Sequence, residues 1–374
     1  MFETLALDMT PRAASVWLGL GVGIVFGALA QLTRFCLRRA LIGPVAERAS
    51  ARGVWAMALI VAVIGTQGAV AYGYVSFDAH RFSAASVPVF GLILGGLLFG
   101  LGTVLARGCL SRLTVLSGSG NLRALVAILV AAVAAQATLQ GALAPLRVSV
   151  NAATLQIGAL PGPAWGWAAV IVALAGLVLI RSRTRWPLLV GGAVIGALVP
   201  VAWVGTGFVL YDEFDVIALE GLAFTGPFAE TIFWGVAAQV TTAGFGAGLV
   251  GGVLAGAAIA ALGSRQFRFE SFESAGQMGR SLGGAALMGV GGVLAGGCTV
   301  GAGLAGLPTL GASALIAIVA IVVGIVAADA VLARRGAGRG VKIALGVSLA
   351  ANLLIVGLVV GAVLAVGPGR SRGD

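Results

Sequence analysis

The chain has 374 residues, of which 59% are hydrophobic and 10% are charged, with 60 glycines and a formal net charge of +10. Soluble proteins are about 25% charged, so this composition excludes an ordinary soluble enzyme. The basic residues fall in short clusters between apolar runs, which argues against nucleic-acid binding. Glycines within long Leu, Val and Ala runs are typical of closely packed transmembrane helices.

Hydrophobic segments long enough to span a membrane recur along the whole chain. A spanning helix needs about 20 mostly apolar residues. About ten such spans are predicted, at 15–33, 53–73, 88–106, 122–141, 163–181, 187–205, 229–262, 279–295, 310–332 and 343–366. The segment 229–262 is too long for one straight span, and we expect the stretch Thr241–Gly246 to break it. The sequence predicts an all-α polytopic protein embedded in a lipid bilayer.

The basic residues predict how these spans are oriented. With the N-terminus outside and ten alternating spans, 18 of the 23 Lys and Arg residues fall on the inner side. The outer side keeps only Arg12, Arg81, Arg147, Arg370 and Arg372. Because positive charge collects on the cytoplasmic side, both termini are predicted outside. Six tryptophans fall mostly near the span ends and predict an interfacial belt, namely Trp55, Trp165, Trp167, Trp186, Trp203 and Trp234.

Two motifs recur in the same order along the chain. Gly100–Cys109 matches Gly289–Cys298 at seven of ten positions, at an offset of 189 residues. Gly43–Glu47 matches Gly226–Glu230 at four of five positions, at an offset of 183. Such ordered recurrence indicates an internal repeat. We predict one integral membrane domain whose halves are residues 1–185 and 186–374.

The predicted topology inverts the two halves relative to each other. The motif ending at Cys109 closes a helix that runs inward, whereas the motif ending at Cys298 closes one that runs outward. Inverted repeats are a transporter architecture, in which related elements meet a substrate near the bilayer midplane.

The segments that follow Cys109 and Cys298 predict short re-entrant helices. They contain several Ser, Thr, Gly and Pro residues, and each is too short and polar for a span. Irregular backbone at membrane depth is tolerated only where protein buries it or where it lines a cavity. The candidate pore residues beside the two cysteines are Arg107, Gly108, Gly297 and Thr299.

The Gly-Pro-x-Ala-Glu motifs predict two helix starts that point into the bundle. Pro44 and Pro227 suit a helix start, and Glu47 and Glu230 are expected in the first turn, where acids favour the helix dipole. Capping of its own helix is the ordinary interpretation of each acid. Together with Gly43 and Gly226, these starts would offer free N–H groups to an anion.

For three cysteines, Cys36, Cys109 and Cys298, the sequence offers two interpretations, a packing role and a functional role. Their odd number and spacing predict neither a disulfide framework nor a zinc site, and with His80 the only histidine we expect no metal and no cofactor. A lone membrane cysteine usually packs, but Cys109 and Cys298 occupy equivalent places in the repeats. A buried neutral thiol is a weak donor that contacts a soft anion without adding negative charge.

Four arginines lie close to these cysteines in sequence and would attract an anion from inside. They are Arg34, Arg38, Arg107 and Arg112. Anchoring at the inner face is the ordinary interpretation of all four.

These residues resemble the YeeE/YedE sulphur-transport family of bacterial inner-membrane thiosulfate uptake proteins. The resemblance rests on the Arg-Phe-Cys segment at Cys36, the Gly-Cys repeats at Cys109 and Cys298, and the two Gly-Pro-x-Ala-Glu segments, and it covers nearly the whole chain. It implies an hourglass of spanning helices with short helices dipping in from both faces. It also implies that thiosulfate passes between the three cysteines at the constriction.

The resemblance further implies, for some members, a small cytoplasmic sulphur-carrier partner of the TusA type. No such carrier segment is expected here, since the tail from Gly367 is short. Arg107 also stands where the second repeat has Gly296, a difference expected to affect selectivity.

Three functions remain open from the sequence. The leading one is a permease, not an enzyme, in which thiosulfate enters near Cys298, passes Cys109 and leaves towards Cys36. The alternative is a membrane thiol relay enzyme that forms persulfides on reactive thiolates, although the sequence has no flanking base or Cys-x-x-Cys pair. A scaffold subunit with inert thiols is the third.

Overall fold

The computed structural model describes residues 9–157 and 162–336, and helices make up most of this part. Thirteen α-helices occur in it: α1 Pro11–Thr33, α2 Leu37–Ile42, α3 Val45–Ala71, α4 Val89–Leu105, α5 Leu110–Gly118, α6 Leu122–Leu139, α7 Ala144–Val150, α8 Ala164–Ser182, α9 Trp186–Val204, α10 Thr225–Val236, α11 Phe245–Gly263, α12 Ala275–Leu294 and α13 Ala312–Gly336. Two π-helical segments, Gly205–Val209 and Thr299–Gly306, and a 3₁₀ turn, Leu307–Thr309, complete the helical structure. The short strands β1 (Ser86–Val87) and β2 (Leu155–Gln156) pair antiparallel.

Nine helical segments of the described part are long and apolar enough to cross a membrane, so the predicted all-α polytopic fold is confirmed. The tenth predicted span, 343–366, lies outside the described residues. The predicted break in the segment 229–262 is also confirmed, because α10 ends at Val236 and α11 begins at Phe245. The helix predicted from residue 53 begins earlier, at Val45, directly after the first Gly-Pro pair.

Glycines bring α1 and α11 into backbone contact. Gly19, Gly23 and Gly27 on α1 face α11, and Gly248, Gly252 and Gly256 on α11 face α1. A Cβ atom on Gly23 would lie 2.5 Å from the Leu249 carbonyl oxygen and 2.9 Å from the Gly252 Cα. Small residues every four positions allow such close crossings without a large apolar driving force in lipid.

The main helix pairs join the first half of the chain to the second. Helix α1 packs on α11 and α9 packs on α3, while α4 packs on α13 and α12 packs on α6. Matching the helices by chain order and by the two motif offsets relates α1 to α9, α3 to α10 and α11, α4 to α12, and α6 to α13. Under that correspondence the α1–α11 pair is equivalent to the α9–α3 pair, and the α4–α13 pair is equivalent to the α12–α6 pair. The two halves therefore pack against each other through related contacts.

Two of the tryptophans predicted for an interfacial belt are core residues. Trp55 is 8% exposed and Trp203 is 2% exposed, whereas Trp165 and Trp186 are about three-quarters exposed, at 76% and 75%. Trp55 stacks on Phe35 with ring centroids 5.1 Å apart. The prediction is wrong for Trp55 because α3 starts well before it, which moves the indole from a span end into the bundle.

Candidate functional site

Each of the three cysteines stands at a break between a long helix and a short one. Cys36 separates α1 from α2, Cys109 separates α4 from α5, and Cys298 separates α12 from the π-helix Thr299–Gly306. All three have extended backbone at the position that precedes the short helix. The short helices predicted after Cys109 and Cys298 are therefore present.

A residue with a left-handed backbone conformation stands two positions before each of these cysteines. Arg34, Arg107 and Gly296 adopt left-handed conformations, with φ of 53°, 60° and 67°. A left-handed residue ends a helix by turning the chain so that the next amides bond back to the last turn. Accordingly, the Phe35 N–H donates to the Ala30 carbonyl over 3.1 Å, and the Gly108 N–H donates to the Thr103 carbonyl over 3.0 Å.

Sequence comparison found this break twice but missed its third occurrence. The two Gly-Cys motifs share seven of ten residues, whereas at the break the segment Arg34–Cys36 shares Arg and Cys with the first motif and only Cys with the second. The common feature is the left-handed residue two positions before the thiol, which Arg provides as well as Gly at this helix end.

The three thiols lie together in the protein interior. Cys36, Cys109 and Cys298 are 7%, 1% and 0% exposed. The Cys36 and Cys109 side chains face each other. On another side, Cys109 faces Thr299, the neighbour of Cys298, and Cys298 itself lies close enough to interact electrostatically with Cys109. Cys109 is thus the middle member of the cluster.

Hydrogen bonds hold two of the sulphur atoms in place. The Gly301 N–H donates to the Cys298 Sγ over 3.3 Å, within the first turn of the π-helix. The Cys109 Sγ lies 3.3 Å from the Ser111 Oγ. The Thr299 Oγ1 is buried and has no hydrogen-bond partner among the described residues. A hydroxyl and three weak thiol donors therefore lie around Cys109.

Glycine at 297 is required by space, and glycine at 108 is favoured. A Cβ atom on Gly297 would lie 2.9 Å from the Ala302 nitrogen, inside the π-helix. A Cβ atom on Gly108 would lie 3.3 Å from the Leu113 Cδ2, which is a flexible side-chain end. The two predicted motif glycines thus let each short helix fold back closely on its cysteine.

A cationic cavity of about 400 Å³ opens beside Cys36. Five arginines, one glutamate and the Gly-Pro pair of the first motif line it: Arg34, Arg38, Arg39, Arg107, Arg112, Glu47, Gly43 and Pro44. Glu47 stands in the first turn of α3, as predicted. Its carboxylate also accepts a bond of 2.8 Å from the Arg39 Nε and lies 3.7 Å from the Arg34 Nη1.

The second Gly-Pro motif differs from the prediction. Helix α10 begins at Thr225, so Pro227 is its third residue and Glu230 lies beyond the first turn. The expectation that Glu230 caps its own helix is wrong. Its carboxylate lies instead over the first turn of α11, where a Cβ atom on Gly246 would be 3.1 Å from the Glu230 Oε2. Gly226 faces open space, with nothing within 4 Å of a Cβ atom there.

A smaller cavity of about 160 Å³ lies at this end of the molecule. Glu220, Glu230 and Arg12 line it, and Arg81 is near both glutamates and Cys298. Burial, followed by the neighbouring charge of Glu230, raises the pKa of Glu220 to about 8. The Glu220 carboxyl is therefore mostly neutral at pH 7 and repels an anion little.

Sequence reasoning missed Arg81 as a neighbour of Cys298 and Glu220 as a lining residue of the smaller cavity. Glu220 stands in an irregular stretch between Val209 and Thr225, and Arg81 stands in the loop between α3 and α4. Neither position belongs to a repeated motif or a periodic pattern, so no local signal marks it.

Comparison with known proteins points to one family. The family model described as sulphur transport matches residues 32–185 and again residues 175–327, which establishes two repeats. The thiosulfate transporter TsuA of Escherichia coli is 26% identical over 318 residues, covering 76% of this chain and 86% of the relative. The thiosulfate transporter TsuA of Spirochaeta thermophila is 28% identical over 339 residues, covering 83% and 96%.

Proposed function

The chain belongs to the sulphur transport family, and on that premise we propose that it is a permease that takes up thiosulfate through a pathway lined by Cys36, Cys109 and Cys298. The observation that carries the proposal is the convergence of the three buried thiols around Cys109. The names of its relatives supply the substrate.

Neutral thiols suit the passage of this ion. The terminal sulphur of thiosulfate is soft and polarisable, and a thiol donates only a weak hydrogen bond to it. A conducting site has to bind well enough to admit an ion and weakly enough to release it. Three weak donors in succession satisfy both conditions better than one strong cationic site at the constriction.

The proposed direction follows from charge. We place the arginine-lined cavity beside Cys36 on the cytoplasmic side of the inner membrane, because cytoplasmic loops keep the excess of Arg and Lys. Cys298 then lies towards the outside, and thiosulfate meets Cys298, Cys109 and Cys36 in that order. In this arrangement residues 1–185 and 186–374 are inverted halves, both termini lie outside, and the crossed helix pairs are the contacts that such halves make.

A small cytoplasmic sulphur-carrier protein of the TusA type is the proposed acceptor. Exposed Arg265 and Arg268 lie on the side that we assign to the cytoplasm and would attract an acidic surface. A second basic stretch, residues 334–342, would suit the same acidic partner but lies almost wholly outside the described residues.

A thiol relay enzyme is the second candidate, favoured by the facing side chains of Cys36 and Cys109. In that reaction a Cys109 thiolate attacks the terminal sulphur of thiosulfate, forms a persulfide and releases sulfite. The persulfide sulphur then passes to the Cys36 thiolate. Mass spectrometry of the protein after exposure to thiosulfate detects such a persulfide, which the permease does not form.

Uptake of labelled thiosulfate by sulphur-starved cells tests the permease. We expect Cys109→Ala to reduce uptake at least tenfold, because it removes the middle donor of the cluster. Ser264→Ala is the control, since that hydroxyl bonds the Ala260 and Ala261 carbonyls of the adjoining helix α11. Normal uptake by Cys109→Ala, at an expression level equal to the control, removes the thiol mechanism.

A further inference from the structure

The cavity beside Cys36 holds more positive charge than its carboxylate neutralises. Five arginines line it together with one acidic residue, Glu47. Glu47 forms ion pairs with Arg39 and Arg34. Among the described residues, no carboxylate lies within ion-pair distance of Arg38 or Arg112.

Two guanidinium nitrogens in this region lack hydrogen-bond partners. The Arg112 Nη1 and the Arg38 Nε are both buried, and neither has a partner within the described part of the chain. A buried charged donor without an acceptor is costly. Guanidinium N–H groups match the geometry of an oxyanion, which accepts through two oxygens at once.

Arg112 stands next to the thiol cluster. Its charge interacts with both Cys36 and Cys109, and it follows Cys109 by three residues in α5. The amide side chains of Gln31 and Gln266 line the same cavity, and the Gln31 Oε1 is buried without a partner among the described residues. The polar groups therefore surround the space that an ion enters after leaving the thiols.

The other half of the molecule has no such group at the corresponding place. The offset of 189 residues relates Arg112 to Gly301, whose N–H is already engaged by the Cys298 Sγ. The repeat thus provides a thiol in both halves but an arginine three residues after it in the first half only.

We propose that Arg112 and Arg38 form an oxyanion-binding site beside Cys36, which holds the sulfonate oxygens of thiosulfate while its terminal sulphur contacts the thiols. The identity of the ion rests on the proposed function, whereas the affinity for an oxyanion does not. Sulfate carries similar oxygens without the soft sulphur, so it binds at the arginines and competes there without engaging the thiols.

Modification of Cys36, in which the thiolate forms a mixed disulfide with a methanethiosulfonate and releases methanesulfinate, tests this site without any transport measurement. The full chain carrying Cys109→Ser and Cys298→Ser keeps Cys36 as its one thiol, and a sulfonate-bearing methanethiosulfonate reagent modifies it in detergent solution. We expect sulfate to slow this modification in a saturable manner. Arg112→Gln is expected to raise the sulfate concentration needed for half-protection at least tenfold.

Arg181→Gln is the matched control, because this exposed arginine lies in the last turn of α8 and does not line the cavity. It is expected to change the half-protecting concentration less than twofold. A neutral maleimide reports whether each variant keeps Cys36 equally accessible. Arg112→Lys, which retains the charge but loses the planar fork, is expected to give intermediate protection and covers the case in which Arg112→Gln fails to fold.

Equal sulfate protection in the Arg112 variants and the control overturns the proposal, as does the absence of protection in the single-cysteine chain itself. The proposed function fails separately. If the chain imports thiosulfate but sulfate does not protect Cys36, the permease is supported and the oxyanion-binding site is rejected. If sulfate protects Cys36 but the chain does not import thiosulfate, the oxyanion-binding site is supported and the permease is rejected.

Discussion

Arg107 and Gly296 show how little a helix break depends on residue identity. They occupy equivalent positions, and both adopt left-handed conformations, with φ of 60° and 67°. Such a conformation costs a non-glycine residue roughly 1–2 kcal/mol, which the surrounding hydrogen bonds of the helix end offset. The difference between the repeats at this position therefore changes charge rather than backbone path, and Arg107 adds its cation to the cavity beside Cys36.

Glu220 is expected to make stability depend on pH. Burial, followed by the charge of Glu230, raises its pKa from 4.5 to about 8. Between these values the folded protein keeps a proton that the unfolded chain releases, so the free energy of unfolding falls as pH rises. Glu220→Gln removes this contribution. Thermal unfolding in detergent from pH 5 to 8.5 is expected to show a weaker decline for Glu220→Gln than for the unsubstituted chain.

Arg81 and Glu230 also face Glu220 electrostatically, so part of the pH dependence remains in the Glu220→Gln variant. Parallel curves for the two proteins would contradict the assignment of a raised pKa to Glu220.

Among the residues of the site, those in the repeated motifs could be predicted from the sequence, and few others. Cys109 and Cys298 were predictable as equivalents because their motifs share residues. The meeting of Cys36 with Cys109 was not predictable from the residues alone, since it depends on how α1 and α4 end in space. Glu230 was misplaced because a proline is tolerated throughout the first turn of a helix, so Pro227 does not fix where α10 begins.

Helices α1 and α11 depend on glycine at their crossing, and Gly23→Ala is expected to be destabilising. The added methyl group would lie 2.5 Å from the Leu249 carbonyl oxygen, which is backbone and has no freedom to move aside. Overpacking of this kind costs typically about 1–3 kcal/mol. Thermal unfolding in detergent measures the loss.

Gly21→Ala is the matched control for this substitution. Gly21 lies two residues away on the same helix and is exposed, with nothing within 4 Å of a Cβ atom. There the substitution is expected to be neutral or to stabilise by up to about 1 kcal/mol through helix propensity. Equal effects at Gly21 and Gly23 would show that the α1–α11 contact is not as close as described.

At the element scale composition predicts the helices, because each span needs a long apolar run. The break between α10 and α11 was also predictable, since a run of 34 residues from 229 to 262 exceeds one span. The order in which helices pack was not, because glycines on many faces of many helices offer alternative close contacts. Only the three-dimensional arrangement selects α1 with α11 and α3 with α9.

The whole molecule combines a symmetric framework with asymmetric charge. Related helices pack in related pairs, and two of the three thiols occupy equivalent breaks. One end nevertheless carries five arginines around a cavity of about 400 Å³, and the other carries two glutamates beside Arg12 around a cavity of about 160 Å³. In the proposed permease, we expect this asymmetry of charge to favour the arginine-lined end as the place where an anion is held.

Thiosulfate labelled separately at its two sulphur atoms distinguishes passage of the intact ion past the thiol cluster from covalent transfer of its sulphur. In proteoliposomes containing the purified chain, we predict that both labels enter in equal amounts and that both fall to background with Cys109→Ala. Entry of the terminal-sulphur label alone would mean that the thiols transfer sulphur covalently and would rule out passage of the intact ion. Equal entry that persists in Cys109→Ala would contradict passage past the thiol cluster.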